Sequence, residues 1–167
     1  RPERLDFINV TTSSHNHTDH LDGETLTALM QANPEMELLV PSANRRFAAD
    51  RLGVDADQLR AIDAGQSIRL GNIELHAVPA AHESLAKDEQ GRHHYVGYVV
   101  KLGPWTLYHS GDTIPYEGME DILKQWSINV ALLPINGRLP ERRVAGNLWG
   151  REAARLAKSI SVGIVIP

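Results

Sequence analysis

The middle of the chain alternates apolar and polar residues with a period of two, a pattern typical of strands that bury one face. The turn dipeptides Gly71-Asn72 and Gly103-Pro104 interrupt this alternation, so the pattern predicts two β-hairpins. Their strands are predicted over Ser67–Leu70, Ile73–Val78, Tyr95–Leu102 and Trp105–His109. A long polar loop, Pro79–His94, is expected to join the two hairpins.

Towards both ends of the chain, short apolar runs alternate with segments of helical spacing. Asp22 is a plausible N-cap for a helix with Leu26, Leu29 and Met30 on one face, and Asn33-Pro34 ends that pattern. Further helices are predicted over Ala43–Leu52 (capped by Ser42 and ended by Gly53), Glu117–Trp126 and Trp149–Ser159, and further strands over Leu5–Val10, Glu37–Val40, Asn129–Leu133 and Gly163–Ile166. This mixture predicts an α/β domain.

Composition excludes several classes of protein. A chain of 167 residues with 42% hydrophobic residues can bury the core of one domain. The absence of cysteine excludes disulfides, thiolate metal ligands and a cysteine nucleophile. A net charge of −4 disfavours nucleic acid as a partner. No apolar run approaches the roughly 18–20 residues that span a bilayer, so we expect a cytoplasmic protein without a membrane partner.

The most informative stretch is the run from His15 to His20, which has the sequence HNHTDH. On a helix, His15 and His17 would be rotated by roughly 200° and could not share a face. In an extended segment His15, His17 and Asp19 point to one side, and a turn at Asp19 brings His20 beside them. Imidazole and carboxylate are ligands of Zn²⁺, Mn²⁺ and Fe. The run therefore predicts a metal site, rather than a solvated polar loop.

Two further polar elements follow predicted strands. His82 comes shortly after the strand Ile73–Val78, and Asp112 comes shortly after the strand Trp105–His109. Either residue alone is a weak signal, because single histidines and Gly-Asp turns are common. Together with the run at 15–20, they form a pattern of metal ligands on the loops at strand ends.

This order of motifs resembles the metallo-β-lactamase-fold superfamily of metal-dependent hydrolases. The signature His-x-His-x-Asp-His stands at residues 15–20, followed by the lone His82 and by Asp112 in a Ser-Gly-Asp-Thr turn. His109–Asp112, Leu132–Gly137 and Ile164–Pro167 more narrowly resemble the branch that contains ascorbate 6-phosphate lactonase. The resemblance runs through essentially the whole chain.

The resemblance implies a fold and a set of ligands. The fold would be a four-layer αββα sandwich, with residues 1–167 forming one metallo-hydrolase domain. His15, His17 and His82 would bind a first divalent ion, Asp19 and His20 a second, and Asp112 would bridge the two. The ions would be Zn or Mn, with Fe as a further option.

Two departures from the family pattern concern the ends. The family's last histidine has no counterpart after His109, so the second metal site is expected to be incomplete in this chain. Only one strand is predicted before the histidine-rich run, fewer than the family normally has. Because the chain also begins at Arg1 and ends at Pro167 directly after an apolar run, we expect a domain truncated at both ends.

The function implied is hydrolysis of an ester, lactone or phosphoester by a metal-bridging hydroxide, with Asp19 orienting the nucleophile and receiving its proton. The alternatives are a nuclease of the same fold, which the acidic charge disfavours, and a metal-binding but catalytically inactive relative. An amidohydrolase barrel also carries a His-x-His, but it needs about 250 residues. The substrate would be a small molecule, an anionic one included, and a homo-oligomer stays open.

Weaker candidates lie on loops near the later elements. His109 could orient Asp112 from behind the metals. The other candidates for substrate contact are Tyr116, Asn136, Arg138 and Asn147. Arg138, Arg142 and Arg143 form a small basic cluster that could hold a phosphate or carboxylate, or could simply be a solvated loop.

Overall fold

The computed structural model describes residues 1–139, 141 and 145–167. The strands are β1 (Val10–Thr12), β2 (Glu37–Pro41), β3 (Arg60–Ile62), β4 (Ser67–Leu70), β5 (Ile73–Pro79), β6 (Val96–Leu102), β7 (Trp105–His109), β8 (Val130–Leu132) and β9 (Ile164–Ile166). The α-helices are α1 (Gly23–Ala32), α2 (Arg45–Leu52), α3 (Met119–Leu123) and α4 (Gly150–Ser159). Short 3₁₀ turns lie at Pro2–Arg4, Ser42–Asn44 and Ala56–Gln58.

The strands form a three-stranded and a six-stranded sheet. The first sheet is parallel, in the order β1-β2-β3. In the second, β4 to β7 are antiparallel neighbours and β7, β8 and β9 are parallel. Both predicted hairpins are confirmed, and Gly71 and Gly103 occupy their turns in the left-handed region, with φ of 59° and 56°.

The two sheets pack face to face over a shared core. Leu39 and Ile62 from the first sheet meet Leu75, Val96 and Tyr98 from the second. All five side chains are at most 2% exposed. Because side chains alternate along a strand, the neighbours of these residues point to the outer faces of the sheets.

The outer faces are covered by helices. Leu38 and Val40 of β2 pack against α1 and α2, while Val99 of β6 and Tyr108 of β7 pack against α3 and α4. The layers therefore run helix, sheet, sheet, helix, which confirms the predicted fold class. Among the described helices, the longest have 10 residues, and none has the length and apolarity to cross a membrane.

The first predicted strand, Leu5–Val10, is wrong. The strand comprises Val10–Thr12, and the amide of Ile8 donates to the side chain of Asn33 at 2.9 Å instead of joining a ladder. Parallel pairing with β2 begins only where Val10 lies opposite Glu37. The alternation upstream of Val10 therefore had no partner strand to pair with.

The other differences are at element ends. Ser42 begins a 3₁₀ turn and α2 starts at Arg45, although Gly53 ends that helix in the left-handed region with φ of 67°, as predicted. The predicted helix Glu117–Trp126 is shorter, because Gly118 has φ of 80° and α3 begins after it. β3 was not predicted, since three residues carry too little pattern and its pairing with β2 defines it.

Leu39→Ala should destabilise the fold strongly, because Leu39 is fully buried between the two sheets. We expect a loss of about 2–5 kcal/mol in the free energy of unfolding, measured by urea denaturation. Leu85→Ala is the matched control, since Leu85 is 40% exposed. Its effect should stay within about 0.5 kcal/mol. Equal losses in the two variants would contradict the two-sheet core.

Candidate metal centre

Residues 13–20, the histidine loop, continue from β1 and run between the ends of the two sheets. The amide of Ser13 donates to the carbonyl of Leu39 in the first sheet at 2.9 Å. The hydroxyl of Tyr98 in the second sheet donates to the carbonyl of Ser13 at 2.8 Å. The loop is thus fastened to both sheets just before its first histidine.

Two more loops reach the same place. The His82 loop follows β5 and the Asp112 loop follows β7. The amide of Ala81 donates to the hydroxyl of Thr113 at 2.9 Å, and the amide of Ile114 donates to the carbonyl of Ala81 at 2.7 Å. These paired hydrogen bonds fix His82 and Asp112 relative to each other.

The three loops bring the predicted metal ligands together around Asp112. Its Oδ2 lies 3.4 Å from Nε2 of His20, 3.7 Å from Nε2 of His82 and 4.0 Å from Nε2 of His15. The ring of His17 lies 4.6 Å from that of His15, centre to centre. Within the described residues, two overlapping groups have ligand atoms all within 4.8 Å of one another: His15, His17 and His82, and His15, His20 and Asp112.

Asp19, the remaining predicted ligand, lies at the rim of this cluster. Its side chain is 75% exposed and its Oδ2 is 3.6 Å from Nε2 of His20. It belongs to neither of the two tight groups. The structure therefore places Asp19 beside the candidate metal centre and accessible to a substrate.

The donor set fits a divalent cation. His15 is 1% exposed, and its Nε2 has no hydrogen-bond partner among the described residues although it points towards Asp112. A buried polar atom without a partner is costly. A cation held between the imidazole nitrogens and the Asp112 carboxylate would satisfy that atom.

Electrostatics keep His15, His82 and Asp112 in their metal-binding protonation states, whereas at His20 the contact with Asp112 outweighs burial and raises the pKa. Burial, helped by the charge of His20, lowers the pKa of His15 to about 3, and burial also lowers the pKa of His82. Burial works against the Asp112 carboxylate, yet its hydrogen bond to His20 holds the pKa of Asp112 below the usual value. Neutral imidazoles and an ionised carboxylate are the protonation states that metals bind.

Helix α2 contributes two residues that sequence reasoning missed. Arg51 donates through Nη1 to the carbonyls of Asn16 at 2.7 Å and Leu21 at 3.2 Å, so it clamps the two sides of the histidine turn to α2. Its guanidinium lies 4.5 Å from the ring centre of Phe47. In the sequence, only the i, i+4 spacing of Phe47 and Arg51 indicates that they belong together. That spacing predicts a shared helix face but not which part of the protein the face covers.

A cleft of about 760 Å³ opens beside the cluster. Its lining includes the aromatic rings of Phe47 and Tyr95, and Tyr95 lies 5.1 Å from the ring of His82. Asn136 and Asn147, two of the candidates for substrate contact, also line the cleft. With its amide nitrogen turned towards Asp112, Asn147 donates to Oδ1 of that carboxylate at 3.2 Å.

The other weak candidates have structural contacts outside the cleft lining. His109 accepts through Nδ1 from the amide of Gly111 at 3.1 Å, in the turn before Asp112. The hydroxyl of Tyr116 donates to the carbonyl of Pro79 at 2.8 Å.

Arg138, also predicted as a substrate contact, forms a two-pronged salt bridge to Glu152, with both distances 2.7 Å. This pairing engages the Arg138 guanidinium and ties it to α4. The predicted basic cluster is therefore not supported at Arg138. Its other members, Arg142 and Arg143, lie outside the described residues.

Comparison with known proteins gives the family. A family model described as the beta-lactamase superfamily domain matches residues 1–167. A UPF0173 metal-dependent hydrolase of Myxococcus xanthus is 34% identical over 100% of this chain and 56% of the relative. Another, of Caldivirga maquilingensis, is 31% identical over 98% of this chain and 63% of the relative. The chain thus spans less than two thirds of these curated relatives.

A solved structure shows the same fold. Igni18, described as a metallo hydrolase from the archaeon Ignicoccus hospitalis, superposes with a TM-score of 0.70 at 19% identity. The match covers 95% of this chain and 62% of that one.

Arg51→Met should loosen the histidine loop, because it removes both hydrogen bonds to the loop carbonyls and keeps the length of the side chain. We expect a loss of about 1–3 kcal/mol in the free energy of unfolding, measured by urea denaturation. Arg46→Met is the control, since Arg46 is an exposed residue of the same helix. If both variants unfold at the same urea concentration, Arg51 is not a clamp.

Proposed function

Because the chain belongs to the metallo-β-lactamase-fold superfamily, we propose that it is the hydrolytic domain of a metal-dependent enzyme acting on an ester, lactone or phosphoester. One observation carries the proposal: Nε2 of His15, His20 and His82 all lie within 4.0 Å of Oδ2 of Asp112. The names of the relatives, which are metal-dependent hydrolases, support the same class of reaction.

The proposed ligands follow from the two groups in the cluster. His15, His17 and His82 would hold one divalent ion, and His20 with Asp112 would hold a second, with Asp112 shared and Asp19 available from the rim. Zinc, manganese and iron suit this set of nitrogen and oxygen donors. Bound there, such ions acidify water and polarise the oxygen of the scissile bond.

Asp19 is the proposed proton acceptor. Its carboxylate is exposed to the cleft and lies 3.6 Å from Nε2 of His20, on the side where a substrate would enter. A carboxylate in this position can orient the attacking water and take its proton. Asn147 would hold the Asp112 carboxylate in place through its amide nitrogen.

The cleft favours a small substrate with an anionic group. Arg51 is the cation that lines the cleft among the described residues, and the amides of Asn136 and Asn147 add hydrogen-bonding groups. A single guanidinium suits a carboxylate or phosphate better than the repeated charges of a nucleic acid strand. Lactones with an anionic substituent, which the resemblance to the lactonase branch suggests, are therefore the first class of substrate to test.

Chelation and a ligand variant test the proposal together. The protein is assayed against an anionic lactone, a carboxylic ester and a phosphodiester, before and after EDTA treatment and after return of Zn²⁺ or Mn²⁺. EDTA should abolish hydrolysis and the metal should restore it. Asp112→Asn should lower kcat/KM by at least about 100-fold, because it removes the carboxylate that the imidazoles share.

His76→Gln is the matched control, since His76 lies beside Glu74 and Trp126, away from the cluster. It should retain metal binding and activity. Hydrolysis that survives both EDTA and Asp112→Asn would refute a metal-dependent mechanism. Stoichiometric metal binding with no hydrolysis of any substrate class would instead identify a catalytically inactive metal-binding relative.

A further inference from the structure

One hydroxyl group contacts two imidazoles of the candidate metal centre. Oγ of Ser14 lies 3.0 Å from Nδ1 of His15 and 3.0 Å from Nδ1 of His20. At their other ends, Nε2 of the two rings points towards the same carboxylate oxygen of Asp112. The ring centres are 4.1 Å apart, so the two imidazoles lie side by side between one hydroxyl and one carboxylate.

When cations are bound, only one placement of the protons on the two imidazoles is possible. A neutral imidazole carries one N–H, and the nitrogen that binds a cation has none. With Nε2 of His15 and His20 turned to the cations, both Nδ1 atoms are N–H donors. A serine oxygen has two lone pairs and can accept from both.

We propose that Ser14 is a positioning residue that accepts a hydrogen bond from both Nδ1–H groups and thereby fixes the tautomer and orientation of His15 and His20. The inference rests on the proposed function, because it assigns both rings as ligands through Nε2. His15 belongs to both ligand groups and His20 to one of them. A single hydroxyl therefore supports both ions.

The surroundings of Ser14 hold its oxygen in place. The residue is 5% exposed, and its carbonyl accepts from the amide of Val96 in β6 at 3.0 Å. A Cβ added at Gly111 would lie 2.9 Å from Cβ of Ser14, so the turn that carries Asp112 packs directly on Ser14. The contact between Gly111 and Ser14 thus fixes both the Ser14 hydroxyl at one end of the imidazoles and the Asp112 carboxylate at the other.

The preceding residue provides a matched control. Ser13 is also buried, at 1% exposure, but its hydroxyl donates to the backbone carbonyl of His15 at 2.8 Å. This side-chain contact is with the backbone and not with an imidazole. Ser13→Ala therefore removes a buried hydroxyl from the same loop without removing an acceptor from either ring.

The first test is the affinity for Zn²⁺ alone, measured by competition with a chromogenic chelator. Ser14→Ala should bind zinc about 10–100-fold more weakly than the parent chain, because two buried N–H donors lose their acceptor. Ser13→Ala should bind zinc more tightly than Ser14→Ala does, because its hydroxyl contacts the backbone carbonyl of His15 and neither ring. Equal affinity in Ser14→Ala and Ser13→Ala would overturn the inference and leave the proposed function standing.

A second measurement needs no variant, so it holds even if Ser14→Ala fails to fold. Long-range ¹H–¹⁵N correlation spectra of the zinc-loaded parent chain should show His15 and His20 protonated at Nδ1 and ligated at Nε2. Ligation through Nδ1 in either ring would overturn the inference. A parent chain that binds no metal at all would overturn the proposed function, and the role of Ser14 with it.

Discussion

The attachment of the histidine loop to both sheets is the constraint on which the site depends. Ser13 takes one hydrogen bond from Tyr98 in the second sheet and gives one to Leu39 in the first. The side chains of Leu39 and Tyr98 belong to the core between the sheets. The packing that stabilises the fold therefore also fixes the start of the histidine loop, because the same residues serve both.

Close backbone approach makes the cluster compact. A side chain at Gly146, which has φ of 61°, would overlap the backbone of His82, and a side chain at Gly111 would crowd Ser14. Glycine supplies the left-handed conformation and removes the Cβ at both positions. The loops can then pack closely enough for imidazoles from separate loops to face one carboxylate.

Burial gives the cluster its chemical character. Desolvation keeps His15 neutral, while Asp112 stays ionised through its contact with His20. The cluster therefore combines imidazole lone pairs with the negative charge of Asp112, and Nε2 of His15 has no hydrogen-bond partner among the described residues. Protein atoms alone leave these buried groups poorly satisfied. A cation relieves this cost, so metal binding and the stability of the site are expected to be coupled.

Sequence alone determined the hairpins, the main helices and the ligand types. The period-two pattern and the turn glycines are local signals. The expectation of an extended histidine run is wrong: residues 14–20 form bends and a turn, in which the amides of His20 and Leu21 donate to the carbonyl of His17 at 3.1 and 2.8 Å. Local signals did not predict the strands whose position depends on pairing with another strand. β1 lies at Val10–Thr12 and β3 at Arg60–Ile62 because each pairs with β2, which lies between them. The tertiary structure alone turned Arg51 onto the loop carbonyls, paired Arg138 with Glu152 and placed Ser14 against two rings. Some of these contacts join residues that are distant in the chain, and the others depend on the exact path of a loop. Neither kind of contact leaves a periodic pattern of residues from which the sequence alone could predict it.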